Sequence, residues 1–120
     1  MNVLVVDDSK AMRMIVIRTL KQAGFSGHTF SEAENGQQAL EMIREQTPDL
    51  VLSDWNMPEM DGFELLCAVN KESIQVRFGF ITSESTEDAR QKAIDEGAEF
   101  FITKPFSADS FEAELGPVLC

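Results

Sequence analysis

The chain has 120 residues, 43% of them hydrophobic and 26% charged, proportions that fit one globular domain and exclude a disordered segment, a collagen-like repeat and a coiled coil. Ten Lys and Arg against 21 Asp and Glu leave a formal net charge of -11, a field that repels nucleic-acid phosphates and anionic lipid headgroups. Cys67 and Cys120 stand far apart in no metal-like or redox-like spacing, which excludes a thiolate metal site and fits a reducing compartment without disulfides.

The first apolar run, Val3 to Val6, reads as a strand. It has no basic leader and is too short for a signal sequence or a membrane span, so the mature chain is expected to begin here and to be cytoplasmic. Asp7 and Asp8 end the run. Ser9 is placed to cap a helix in which Met12, Val16, Thr19, Leu20 and Ala23 recur at helical spacing until Gly24 stops it. Residues 9–31 carry Lys10, Arg13, Arg18 and Lys21 without an acid, as expected of a solvated basic helix face. A weaker strand follows at His28 to Phe30, where His28 stands alone without metal partners and is read as structural. The second helix begins near Asn35-Gly36, turns Leu40 and Ile43 inward and ends before Pro48.

Leu50 to Leu52 is a short continuous apolar strand that leads to Asp54 and Trp55, the latter expected to be a partly exposed neighbour. Asp61 and Glu64 have the spacing of a capping box ahead of Leu65, Leu66 and Val69, and Cys67 is expected to be buried on the same helix. Phe78 to Ile81 is the next strand, with Thr82 at its end. The fourth helix repeats the capping arrangement with Ser85 and Asp88 and runs to Glu96, but Ala89, Ala93 and Ile94 are its main apolar contacts, which predicts weak anchoring. Phe100 to Ile102 forms the fifth strand, short of Lys104. The fifth helix, Ser107 to Leu115, is expected to stop at Gly116-Pro117, which a helix does not readily pass through.

Strand and helix alternate five times without a linker or an internal repeat, so the expectation is one stand-alone α/β domain over residues 1–120 with no effector domain. Continuous apolar strands suit a parallel sheet covered on both faces, and right-handed connections gather every strand-to-helix loop at one edge. Asp7, Asp8, Asp54, Thr82 and Lys104 all fall there, where open α/β sheets bind their ligands. Two carboxylates about 5 Å apart repel by roughly 3 kcal/mol at an effective dielectric of 20, so the cluster calls for a cation. Oxygen ligands without histidine or thiolate favour Mg2+, and no twelve-residue loop of the calcium-binding type occurs. Asp54 can attack phosphorus without a general base, while Lys104 and Thr82 neutralise and hydrogen-bond the phosphoryl oxygens. No G-x-x-x-x-G-K-[ST], G-x-G-x-x-G or G-x-S-x-G motif is present, and three carboxylates are ill suited to a flavin phosphate, which disfavours a flavodoxin-like electron carrier.

Asp7-Asp8, Asp54, Thr82 and Lys104-Pro105-Phe106, in that order and spacing, resemble the receiver domain of two-component response regulators over essentially the whole chain. The run Ser53-Asp54-Trp55-Asn56-Met57-Pro58-Glu59-Met60-Asp61-Gly62 is similar especially to the chemotaxis members of that family. The resemblance implies a flavodoxin-like (βα)5 fold with strand order 2-1-3-4-5. It implies that Asp54 is the phosphoacceptor, that Asp8 and Asp54 ligate Mg2+ directly with the Asn56 backbone carbonyl, and that Asp7 helps through water. Lys104 and Thr82 would bind the phosphoryl oxygens, and the peptide before Pro105 would be cis. Thr82 and Phe101 would form the switch pair, with Phe101 standing where the chemotaxis members carry Tyr.

The implied function is a phosphorylation-activated signalling switch, a phosphoacceptor rather than an enzyme. It would take phosphate from a histidine kinase and bind a protein target, with chemotaxis, and so the flagellar motor switch, as the reading that the Ser53 to Gly62 run implies. A phosphatase is a further implied partner; nucleic acid and membrane insertion are not, and the state expected is a monomer. The fourth helix with the fifth strand and fifth helix would form the output surface. A phosphate sink or relay, and an unphosphorylated scaffold, are the alternatives.

Overall fold

The computed structural model describes the backbone of residues 1–119 and the side chains as far as Pro117; Cys120 lies outside the described residues. Strands and helices alternate as β1 (Asn2–Val6), α1 (Lys10–Leu20), β2 (Thr29–Ala33), α2 (Gly36–Glu45), β3 (Leu50–Ser53), α3 (Gly62–Lys71), β4 (Arg77–Thr82), α4 (Glu87–Asp95), β5 (Phe101–Thr103) and α5 (Ala108–Leu119). The five strands form one parallel sheet in the order β2-β1-β3-β4-β5, the doubly wound flavodoxin-like arrangement.

The continuous apolar strands are buried on both sides because the strand period of two splits them between two cores. Leu4, Val6, Val51, Phe78, Phe80 and Phe101 face α2, α3 and α4. Val3, Val5, Leu50, Leu52, Ile81 and Ile102 face α1 and α5. Each fully buried Leu or Phe contributes roughly 1.5–3 kcal/mol relative to exposure, so the central strands carry most of the stability. β2 lies at the edge and is largely exposed until Ala33.

Helix starts follow the side chains that satisfy their free amides. Ser9 accepts the Met12 N–H at 3.2 Å and Asn35 that of Gln38 at 2.8 Å. Asp61 and Glu64 form the reciprocal capping box, at 2.8 and 3.0 Å. Gly24, at φ +103°, sits inside a π-helical turn, Lys21–Phe25, and breaks the helical run that began with α1. Arg44 of α2 forks onto Glu72, just past α3, at 2.9 and 2.5 Å, and this pairing holds the Glu72 carboxyl below its ordinary range.

Several boundaries differ from the sequence expectation. The α4 cap is Thr86 rather than Ser85, its Oγ1 accepting the Ala89 N–H at 3.2 Å; this register sets Glu87 and Asp88 in the first turn, where the helix dipole favours acids. Ile94 is 42% exposed rather than packed inward, because its neighbour Ala93 takes the core-facing direction. Cys67 is half-buried rather than buried, and that partial burial, with Glu96, Asp61 and Glu64 nearby, pushes its thiol up. β2 starts at Thr29 and β5 at Phe101, one residue later than the apolar runs suggest. The last helix continues through Gly116-Pro117 to Leu119. Proline removes a single backbone donor there, near the helix end, and buried Phe111 and Leu115 hold the preceding turns.

Gly79 of β4 lies beneath the Phe100 ring, and a Cβ at that position would come within 2.2 Å of the ring. Phe100 is itself buried and has little room to swing away. Gly79→Ala is therefore expected to destabilise the fold by about 1–3 kcal/mol through overpacking. Urea denaturation checks this, and a loss below about 0.5 kcal/mol would show that the ring relocates freely.

Candidate functional site

β1 and β3 are hydrogen-bonded neighbours, with Val6 opposite Ser53. Both strands stop at that level, so Asp7 and Asp54 emerge side by side. The Asp54 N–H still donates to the Val6 carbonyl, at 2.9 Å, and that of Asp7 to the Ala33 carbonyl, at 3.1 Å. Asp7 then turns the chain, its Oδ1 accepting the Ser9 N–H at 2.9 Å. Asp7 is buried and Asp8 exposed.

The Asp54 carboxylate is oriented from both sides. Oδ1 accepts the Trp55 N–H at 2.7 Å, and Oδ2 lies 3.4 Å from Lys104 Nζ. The following loop folds back so that the Gly62 N–H donates to the Trp55 carbonyl at 2.8 Å. A Cβ at Gly62 would sit 2.0 Å from the Asp54 carbonyl oxygen, so only glycine lets α3 begin directly over the acid.

Lys104 arrives from the end of β5, where its N–H donates to the Thr82 carbonyl at 2.8 Å and its peptide to Pro105 is cis. Its ammonium bridges Asp7 Oδ2 at 3.2 Å and Asp54 Oδ2 at 3.4 Å, and its side chain is only 17% exposed. Thr82 is fully buried at the end of β4, its Oγ1 accepting the Glu84 N–H at 3.1 Å. Phe101 is packed inward, 6.0 Å from the Phe80 ring and 6.1 Å from that of Trp55. Its carbonyl accepts Arg90 Nη1 at 3.2 Å. Trp55 is half-buried and stacks on Phe63 at 5.3 Å. Asn56 lies exposed in the loop after Asp54.

One carboxylate oxygen from each of Asp7, Asp8 and Asp54 lies within 4.8 Å of the others. Ligands on opposite sides of Mg2+ are about 4.2 Å apart, so this all-oxygen set, open to water at Asp8, fits a small hard cation. With only Lys104 against three carboxylates, two negative charges are left uncompensated. His28 stands apart, before the edge strand and 6.1 Å from the Phe25 ring.

Arg13 departs from the sequence expectation. Lys10, Arg18 and Lys21 are exposed, but Arg13 is buried on the inner face of α1. Its Nη1 donates to the Asp7 carbonyl at 2.6 Å and its Nε to Glu32 Oε1 at 2.8 Å. The signal was present in the spacing: Arg13 stands three and seven residues before the core-facing Val16 and Leu20. No helix among the described residues is long and apolar enough to cross a membrane.

Residues 3–115 match the response regulator receiver domain family. The chain is 41% identical over 107 residues to the chemotaxis protein CheY of Bacillus subtilis, covering 89% of this chain and 88% of that protein. It is 36% identical over 119 residues to the phosphate regulon transcriptional regulatory protein PhoB of Pseudomonas aeruginosa, covering 98% of this chain and 51% of that one. Among solved structures, the chemotaxis protein CheY4 of Vibrio cholerae superimposes with a TM-score of 0.84 at 33% identity, covering 98% of each chain. With this likeness running over nearly its whole length and the acids gathered at the carboxyl end of the sheet, the chain belongs to the response regulator receiver domain family of two-component systems.

Proposed function

We propose that this receiver is a Mg2+-dependent switch in which Asp54 accepts a phosphoryl group from a histidine kinase and the phosphorylated protein then binds a protein target. The observation that carries the proposal is the convergence of Asp7, Asp8 and Asp54 within 4.8 Å, with Lys104 Nζ 3.4 Å from Asp54. An Asp54 oxygen forms the new O–P bond as the N–P bond of the phosphohistidine breaks, and the electron pair leaves with the imidazole nitrogen. The Trp55 N–H orients the attacking carboxylate. Lys104, already between Asp7 and Asp54, neutralises the phosphoryl oxygens. Thr82 keeps its own O–H to donate, since its bond from Glu84 uses only the oxygen lone pair. Held by Asp8, Asp54 and the Asn56 carbonyl, with Asp7 acting through water, Mg2+ would supply further positive charge to those oxygens.

The output runs through Thr82, Phe101 and the α4, β5 and α5 surface. Only Ala89 and Ala93 of α4 are buried, so repositioning this helix breaks few apolar contacts. Phe101 has no hydroxyl to desolvate, which favours the inward ring already present here. A thousandfold change in target affinity requires about 4 kcal/mol of differential stabilisation, within reach of a few charge-assisted bonds to the phosphoryl group. The likeness to CheY supports chemotaxis as the pathway and a flagellar motor switch component as the target, with the protein acting as a cytoplasmic monomer.

Incubation with Mg2+ and acetyl phosphate, followed by intact mass, is expected to add one phosphoryl group to wild type and none to Asp54→Asn or to protein in EDTA. Trp55, next to Asp54, is expected to report the Mg2+ step by fluorescence. An unchanged mass in folded, Mg2+-binding protein would favour the scaffold reading; loss of phosphate within seconds without target binding would favour the sink.

Asp8→Asn tests the charge balance by a reversal of sign. Without divalent cation, removing one of three clustered carboxylates is expected to stabilise the fold by about 1 kcal/mol, the Coulomb repulsion being discounted because Asp8 is exposed. In saturating Mg2+ the order should invert, because wild type gains more from cation binding. Urea midpoints in EDTA and in Mg2+ check this, and the same order in both would contradict it.

A further inference from the structure

We infer that Arg13 is a positioning residue of the acidic site: it fixes the Asp7-Asp8 peptide and thereby sets how tightly the three carboxylates hold a divalent cation. The inference rests on the phosphoacceptor reading above and adds a residue that lies outside the acid, threonine and lysine motifs.

Arg13 is the sole buried lysine or arginine among the described residues. A guanidinium removed from water persists only where its donors are satisfied, and here two of them are used across three elements. From α1 it donates through Nη1 to the Asp7 carbonyl, at 2.6 Å, and through Nε to Glu32 on β2, at 2.8 Å. Glu32 is opposite Val5 in the sheet, and Val5 faces α1, so the carboxylate stands on the side from which Arg13 comes. The Asp7 carbonyl belongs to the planar peptide that leads into Asp8, and holding its oxygen fixes the direction in which the Asp8 Cα leaves. Among the described residues no hydrogen bond holds the Asp8 carboxylate itself, so its aim depends on this peptide.

Electrostatics alone predicts the opposite effect. A positive charge beside Asp7 repels a bound cation, and removing it would tighten cation binding. If Arg13 acts by positioning, removing it loosens binding despite that relief. Mg2+ titrations followed by Trp55 fluorescence are expected to give a dissociation constant raised about tenfold in Arg13→Met, the range seen when a group that orients a metal ligand is lost. Arg13→Lys should recover little, because one ammonium does not reproduce the fork between Asp7 and Glu32. Glu32→Gln should give a smaller loss, and the double variant no more than Arg13→Met alone.

An unchanged or tighter constant in folded Arg13→Met, with helicity retained by circular dichroism, overturns the inference. Should that variant fail to fold, unchanged constants in both Arg13→Lys and Glu32→Gln overturn it instead. Cation-free amide spectra separate this from the parent reading: the Asp8 and Ser9 amides should shift in Arg13→Met while the central β4 amides stay in place. Wild type that ignores Mg2+ would sink the phosphoacceptor reading, yet the amide shifts would still decide whether Arg13 positions the turn.

Discussion

Everything at the carboxyl end of the sheet depends on the pairing of Val6 with Ser53. Two parallel neighbours that end at the same level deliver the next residue of each chain, Asp7 and Asp54, to one place. A one-residue slip would turn every side chain of a strand to the opposite face, exchanging the two cores and separating the acids together. The register is therefore fixed by the whole hydrophobic split between Leu4, Val6 and Val51 on one face and Val3, Val5, Leu50 and Leu52 on the other. The core thus sets where the acids emerge, and contacts within the site then orient them.

What the core brings together, electrostatics pushes apart. Asp7, Asp8 and Asp54 share a space under 5 Å across, and Lys104 compensates only one of their charges. The surrounding peptide groups hold the carboxylates by short bonds, from Ser9 to Asp7 and from Trp55 to Asp54. The close approach of α3 at Gly62 and the Arg13 fork add backbone restraint. Repulsion held in check by rigid backbone makes a site preorganised for positive charge, since the cost of gathering the acids is met in folding and is not charged again when a cation binds.

Patterns that express a period or a stop were legible in the sequence. The five alternations, the Asp61 and Glu64 capping box and the strand-end positions of Asp54, Thr82 and Lys104 follow from local rules that tertiary context leaves standing. Where context competes, sequence was a weaker guide. Ser85 and Thr86 are equivalent caps until the packing of Ala89 chooses between them. Pro117 breaks helices in isolation, but here Phe111 and Leu115 are anchored before it. Arg13 was obscured by composition: in an acid-free stretch it looks like one more solvated base, although its spacing from Val16 and Leu20 puts it on the buried face.

The acidic site and the surface proposed for output touch through a short run of aromatic and backbone contacts. Trp55 donates its N–H to Asp54 while its ring packs near Phe101, and the Phe101 carbonyl receives Arg90 from α4. Adjacency alone does not carry a signal; that requires an element with two arrangements of similar free energy. The central strands cannot supply it, being buried on both faces. α4 is held more lightly, by two buried alanines, a threonine cap and one arginine bond, which is why the proposed switch is placed there. The same sheet thus has an end where Trp55 and Lys104 orient Asp54, bordered by a helix that buries only Ala89 and Ala93.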